Sequence, residues 1–571
     1  MGEFTVIDLF CGAGGFSEGF RQQGFKIVAG LDSWRPAIDT FNYNFGLECE
    51  PRNMLEFAAS TKRIEALPDT DVIIGSPPCT SFSSSNKSGK GDKTMGRRLT
   101  KIFLRIIAIK KHKQHSRLKA WFMENVSNST SHLQDHYTFR QLHLAKWALK
   151  EGLDPDTIAV SLKENRSLLN AADFGVPQSR GRVFTGEIVP QTKSAALRKT
   201  HRTPDQDEGL PLHVTLAHIM QHLPKPNSER SDEFIADPLY SNIKIKQTEL
   251  TDHFYDTGLY ARDWKGSQFL KTNHPYMGPM SFPEREDRPS RTVTATKIGN
   301  SREALIFPSE FGRIGNGEYR TPTIREAAIL MGFPITFQFL GSEGIKWKLV
   351  GNAVCPPVSR ALAKAVRVEF GCEEIIEPQV ITNVGPLAEV PNLNTFKSKS
   401  FDKPPVKKKG SRFRRHPFKL GNLTVTLSNY DIEKTSKSRR KWKTSVQYGT
   451  GEGFPIQRFP DGYFKRLEPV IMKFEGGSGF IDIINNGFSH KVAGAKLLQE
   501  MYEAQSSKGE YLEPTELVDA LCNIIEAIQI EEPNFEQNHE RFFRKKIVPK
   551  KQVMALYGIN KICSIANGDK K

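Results

Sequence analysis

Along residues 1–190, short apolar runs that stop at a turn alternate with stretches of helical periodicity, and this alternation constrains the fold more than any other feature. It predicts strands over Thr5–Phe10, Lys26–Asp32, Asp71–Gly75 and Ala120–Glu124. Helices are predicted over Phe16–Gln23 and Pro36–Asn44, the second with its proline near the start, where a missing N–H costs nothing. Strand–helix–strand repeats of this kind build a doubly wound parallel sheet, and such sheets hold ligands beyond the carboxyl ends of their strands. The alternation stops near residue 190. Residues 191–287 are polar and irregular, and regular structure is expected to resume at 288. There "RTVTATK" reads as a strand, "TIREAAILMGF" as a helix and "VSRALAKAVRVEF" as a closing helix.

The strand ends carry the candidate chemistry. "GSPPCTSFS", residues 75–83, halts a buried strand with two prolines, each of which fixes its own φ. Cys79 then leaves in a defined direction, either as a reactive thiol or as a small buried hydrophobe. Thr80 to Arg98 reads as a long mobile loop. In "DLFCGAGGFSEGF", Gly12, Gly14 and Gly15 form a turn that either lets a ligand approach the backbone or simply joins strand to helix. Asp32, about 20 residues on, is placed to accept ribose hydroxyls or to cap the next helix. "WFMENVSN" sets Glu124 and Asn125 at another strand end, as substrate-binding groups or as ordinary caps. "VPQSRGRVF" spaces Gln178, Arg180 and Arg182 by two, so an extended backbone puts them on one face. That face is either an oxygen-binding surface or a solvated edge strand.

"FCGAGG", "PPC", "ENV", "QSRGR" and "GNAV", in this order, together with "RPSRTVTATK" and "RTPTIREAAILMGFP", resemble the motifs of the cytosine carbon-5 DNA methyltransferases over residues 4–370. The resemblance implies a Rossmann-like, class I methyltransferase α/β sheet with S-adenosylmethionine as methyl donor. It implies Cys79 as the nucleophile that adds to cytosine carbon 6, and Glu124 at ring nitrogen 3 and the exocyclic amine. Arg182 would meet the carbonyl oxygen with Arg180 supporting it, and Asn125 would brace the Cys79 loop. For the donor it implies Phe10, Gly12, Gly14, Gly15, Asp32 and Asn352. Two positions depart from the family pattern: Thr80 stands where Gln is usual, and Asn53 where an acid often meets the adenine. The implied partner is double-stranded DNA with the target base flipped out, alongside a separate cognate restriction endonuclease if the enzyme is a modification half. Two alternatives remain: a tRNA methyltransferase of the same family, and a DNA-binding homologue without catalysis.

The implied organisation is a catalytic domain at 1–190 completed by 288–372, a target-recognition domain at 191–287, a linker at 373–396 and a basic α+β accessory domain at 397–571. In the accessory region "NLTVTLSNY" and "KWKTSVQYG" alternate like strands, and Val492, Ala495, Leu498 and Tyr502 follow helical spacing. The formal charge of +17 suits an anionic partner. Most of it lies in residues 397–446, which hold 16 Lys/Arg against three Asp/Glu. Seven scattered cysteines without a C-x-x-C pair argue for a reducing compartment and against disulfides or a zinc site, so no metal is expected. No apolar run is long enough to span a membrane. The start of the chain lacks the regions of a secretory leader. The expected location is therefore the cytoplasm of a prokaryote, or the nucleus in a eukaryote.

Overall fold

The computed structural model describes residues 3–78, 93–163, 165–189, 195, 197–206, 209–273, 278–378, 401, 406–417, 423–430, 441–448, 455–537 and 542–568. The chain divides into two units, Met1–Asp402 and Lys403–Lys571.

In the first unit the elements that position the site are β1 (Thr5–Leu9), α1 (Gly15–Arg21), β2 (Lys26–Leu31), α2 (Arg35–Phe45), β3 (Val72–Gly75), α3 (Lys93–His112), β4 (Ala120–Asn125), β5 (Arg166–Asn170) and β6 (Gly181–Ile188). Helices α4 (Ile324–Leu330), α5 (Glu343–Asn352) and α6 (Pro356–Glu369) follow. The sheet order is β2-β1-β3-β4-β6-β5. Its first four strands are parallel, whereas β6 runs antiparallel to both β4 and β5. The sheet is therefore mixed rather than wholly parallel. The arginine-bearing segment leads into an inner strand, not a solvated edge.

Alternation along the strands feeds two layers. Val6, Val72, Ile74, Phe122 and Phe184 belong to one apolar cluster with α1 and α6. Ile7, Leu9, Ile73, Trp121 and Met123 face the other, with Phe103, Ile106, Ile107 and Ile109 of α3. That second layer corrects one expectation. Residues 93–98, read as loop, begin a 20-residue helix whose packed apolar face appears only from Leu99 onward. "RTVTATK" is corrected too: among the described residues it pairs with no strand, and only the preceding Ser290 forms a single bridge, with Gln178. Side chains take its backbone groups instead. Val293 N–H donates to Gln178 Oε1, the Val293 carbonyl accepts from Arg180, and the Thr294 carbonyl accepts from Trp347 Nε1.

The segment 191–287 is less irregular than its composition suggests. It holds helices at Leu216–His222 and Ala261–Thr272 and a strand pair at 234–236 and 244–246. Trp264 is buried there, its indole N–H on the Gly315 carbonyl, whereas Phe269 is exposed. Phe401 lies in the first unit, its ring against Tyr260 and under the Arg313 guanidinium.

The closing helix α6 packs on α1 through two glycines. A Cβ on Gly15 would stand 2.1 Å from the Val354 carbonyl, and one on Gly19 2.4 Å from Arg360 N and from Ser359 Cβ. Ser359 Oγ also donates to the Phe16 carbonyl. Neither neighbour can retreat, because the near atoms are backbone or lie close to it. Gly19→Ala is expected to destabilise the first unit by about 1–3 kcal/mol through overpacking. Gly344→Ala, in α5 where an added Cβ meets nothing within 4 Å, should be neutral or mildly stabilising. Chemical denaturation of the two variants beside the parent checks the contrast.

Candidate active site

The site is assembled from the carboxyl ends of β1, β2, β3 and β4 and from segments near residues 180 and 351. At the end of β1 the chain turns sharply. Phe10 adopts φ +61°, a conformation that is strained for a bulky residue. Gly12 (φ +53°) and Gly14 (φ +97°) continue the turn into α1. The three predicted glycines do different things. A Cβ on Gly12 would meet nothing within 4 Å, so only this glycine opens onto space that a ligand could use. A Cβ on Gly14 would lie 2.4 Å from the Phe45 ring, and Gly15 serves the contact with the Val354 carbonyl. These two glycines are required by packing.

Asp32 sits beside the turn. Its Oδ2 accepts from Gly12 N–H at 3.1 Å and its Oδ1 from Trp34 N–H at 2.9 Å. Burial raises its carboxyl above the usual range, against the pull of those backbone N–H groups. Each oxygen keeps a second lone pair for a ribose diol. The Arg52 N–H donates to the Asp32 carbonyl, which brings Asn53 close by. Asn53 Oδ1 accepts from Leu55 N–H and caps a short helical turn at Met54–Phe57. An open glycine turn next to a carboxylate fits a ribose-bearing, positively charged donor.

On β4, Glu124 and Asn125 point to opposite faces. Glu124 is 6% exposed, accepts from Ser76 Oγ at 2.6 Å and pairs with Arg182 Nε at 3.1 Å. Ser76 lies inside the quoted proline motif, but no spacing rule ties it to a residue 48 positions on. Asn125 Nδ2 donates to the Pro77 carbonyl at 3.4 Å, two residues before position 79. Cys79 itself lies outside the described residues.

Arg180, expected to support Arg182, lies behind it. It is 3% exposed, and its guanidinium donates to the carbonyls of Val293, Gly351 and Ala353 at 3.0, 3.1 and 3.2 Å. It positions the "GNAV" turn against the sheet. Gly351 permits that approach, since a Cβ there would stand 2.5 Å from the Thr294 carbonyl. Asn352, at the end of α5, is exposed.

Glu124, Arg180, Arg182, Phe184, Val354 and Cys355 line one small cavity. Cys355 was not singled out from sequence. Burial pushes its thiol up to about 11, although Arg180 and Arg182 act to lower it. Such a thiol stays protonated at neutral pH and makes a poor nucleophile. Among the described residues no group of three His, Cys, Asp or Glu side chains could hold a metal ion. No described helix is long and apolar enough to cross a membrane.

A family profile described as C-5 cytosine-specific DNA methylase matches residues 4–367. The chain is similar to the type II methyltransferase M.HgiDI of Herpetosiphon aurantiacus, 27% identical over 371 residues that cover 64% of this chain and 94% of that protein. It is also similar to the type II methyltransferase M1.HphI of Haemophilus parahaemolyticus, 28% identical over 368 residues, 63% of this chain and 86% of that one. Among solved structures it resembles the Entamoeba histolytica methyltransferase EhMeth, 16% identical with a TM-score of 0.41, covering 65% of this chain and 99% of that one.

Asp8, beneath the glycine turn, is a further acid that sequence reading passed over. It is 1% exposed; Oδ2 accepts from Ser17 Oγ at 2.7 Å, while Oδ1 has no hydrogen-bond partner. Burial pushes its carboxyl up to about 8, with the Ser17 hydroxyl opposing and the Asp32 charge adding to the rise. An unfolded chain releases this proton near 3.8. Between that value and about 8 the native state holds a proton that the unfolded state lacks. Stability attributable to Asp8 is thus fully present below about pH 4, declines as pH rises, and is lost above about 8. Asp8→Asn should remove this part of the pH dependence, with less loss of stability between pH 5 and 8 than the parent shows in denaturant titrations.

Proposed function

We propose that this chain, which belongs to the C-5 cytosine-specific DNA methylase family and so is a DNA cytosine-5 methyltransferase, acts through Cys79 on a cytosine flipped out of duplex DNA, as the modification enzyme of a type II restriction system. The reading of the site is carried by Glu124, buried at a strand end between Ser76 and Arg182 and next to the segment that leads to residue 79. The membership in a restriction system rests on the type II methyltransferases to which the chain is similar.

Cytosine carbon 5 is too weak a nucleophile to take a methyl group unaided. The Cys79 thiolate adds at carbon 6, and the electrons of the 5,6 double bond move into the ring, giving carbon 5 enamine character. Glu124 hydrogen-bonds ring nitrogen 3 and the exocyclic amine, where the shifted charge collects. With Arg182 Nε committed to Glu124 and Nη1 donating to the Gly181 carbonyl, Nη2 meets the base's carbonyl oxygen. Asn125 fixes the Pro77 carbonyl and hence the path into residue 79. S-adenosylmethionine, the donor expected of the family, supplies an electrophilic methyl group on a sulfonium. Gly12 gives it room, Asp32 takes its ribose hydroxyls, and Phe10, Asn53 and Asn352 border the same space. Arg180 holds the "GNAV" turn and does not touch the base. Once carbon 5 carries the methyl group, a base removes its proton and the thiolate leaves, which restores the ring. Within this reading, residues 1–190 and 288–372 are the catalytic domain and 191–287 recognise the target, with exposed groups such as Phe269 available for DNA. The second unit, Lys403–Lys571, is an accessory domain.

Cys79→Ser should keep donor binding and lose methyl transfer. Duplex DNA carrying 5-fluorocytosine should trap the parent protein covalently, because fluorine cannot leave as a proton does. Normal turnover by the serine variant would defeat the assignment. Glu124→Gln should slow transfer by about 10²–10⁴-fold while DNA affinity changes far less. An equal loss in rate and binding would leave Glu124 only a structural part. Methylcytosine mapping in a host expressing the protein checks the activity itself.

A further inference from the structure

The second unit is built on strands β7 (Leu423–Ser428), β8 (Lys443–Tyr448) and β9 (Ile456–Phe459), antiparallel to one another, with α7 (Lys550–Ala566) behind them. One face of this sheet is apolar: Val425, Leu427, Val446 and Phe459 pack in a cluster with α7. The opposite face is polar. The register sets Thr426 beside Ser445, Ser428 beside Lys443, and Ser445 beside Arg458.

A groove opens on this polar face, lined by Ser428, Tyr430, Lys441, Lys443, Ser445 and Arg458. Ser445 is 4% exposed, and its hydroxyl has no hydrogen-bond partner. Its cross-strand neighbour Thr426 is fully buried and is likewise without one. A desolvated hydroxyl with no partner carries a standing cost that a ligand oxygen can remove. The Arg412 guanidinium lies over the Tyr430 ring, so positive charge also stands behind the aromatic wall. The one acid on the lining, Asp461, accepts from Asn567 Nδ2 with both oxygens at 3.2 and 3.1 Å.

The arm before the sheet is occupied differently. Lys407 Nζ sits over the Tyr502 ring, Arg414 donates to Gln447, and Arg415 pairs with Asp519. Three of the arm's cations are thus engaged within the unit; Lys408 and Lys409 are exposed on the arm, and Lys441 and Arg458 are exposed at the groove.

We propose that this groove binds the phosphodiester backbone of duplex DNA, apart from the bases that are read and methylated. Three cations and the Ser445 hydroxyl match phosphate oxygens. Contacts of that kind hold a duplex in place and carry no sequence information. The proposal rests on the chain being a DNA enzyme but not on which side chain performs the chemistry, so a failed Cys79 assignment leaves it untouched.

The test uses the full chain and a fluorescent duplex of A·T pairs only, which contains no cytosine. Against the parent, a Lys441→Gln, Lys443→Gln, Arg458→Gln variant should bind about tenfold more weakly at fixed salt. Its plot of log affinity against log salt should lose a slope of about 2–3, at about 0.9 per phosphate contact. A Lys407→Gln, Arg415→Gln variant of the arm, whose cations are engaged with Tyr502 and Asp519, should lose clearly less. An unchanged slope in the triple variant, or an equal loss in the arm variant, overturns the groove as the site. Displacement of the duplex by millimolar inorganic phosphate would mark a site for free phosphate and overturn it too. Photo-crosslinking of the unmutated protein to the same duplex bearing 5-iododeoxyuridine is independent of variant folding. It should label Tyr430 or the neighbouring strand residues, and labelling confined to residues 1–402 would refute the proposal.

Discussion

The Arg180 guanidinium reaches three backbone carbonyls, those of Val293, Gly351 and Ala353, from a position that is almost wholly buried. The first unit depends on that contact because its catalytic part is not continuous in sequence. Strands β1 to β6 end at residue 188, and the segments that complete the site begin about a hundred residues later. Arg180, at the entrance to β6, joins the two pieces at the place where Glu124 and Arg182 meet. A buried guanidinium costs desolvation unless oxygens surround it, and three carbonyls meet that need. The same contact satisfies the Val293 carbonyl in a segment without a strand partner.

The sheet was legible because its signals are local. Short apolar runs that stop at a turn marked β1 to β4 to within a residue, and the glycine and proline motifs marked the ends of β1 and β3. What escaped depends on distant partners. The "RTVTATK" segment has the composition of a strand, yet its N–H and C=O groups are met by Gln178, Arg180 and Trp347. The start of α3 has no packed apolar face to betray it, since that face begins at Leu99. Arg180 and Arg182 looked alike at spacing two. Which of them turns to backbone and which to Glu124 is decided by the chain from 293 to 353, beyond any local pattern.

The candidate site shows the same division. Asp32 and Glu124 could be named from their strand ends, and each has close polar partners there. Ser76, Asp8 and Cys355 could not be named, because their importance lies in contacts with residues far away in sequence or in the degree of their burial. The glycine turn read as a single motif separates into one open position, Gly12, and two forced by packing.

The contact of α1 with α6 joins residues 343 positions apart, as in the bond from Ser359 to the Phe16 carbonyl. Contacts of such range close a very large loop, and their entropic cost is met only when the last elements are in place. During synthesis the ribosome releases the glycine turn long before α6 exists. The nascent chain therefore carries the glycine turn with its α1 glycines bare. Competence arrives as one late event, when the closing helix docks and the distant carbonyls reach Arg180. An enzyme assembled in this order stays silent until nearly all of its first unit has been made.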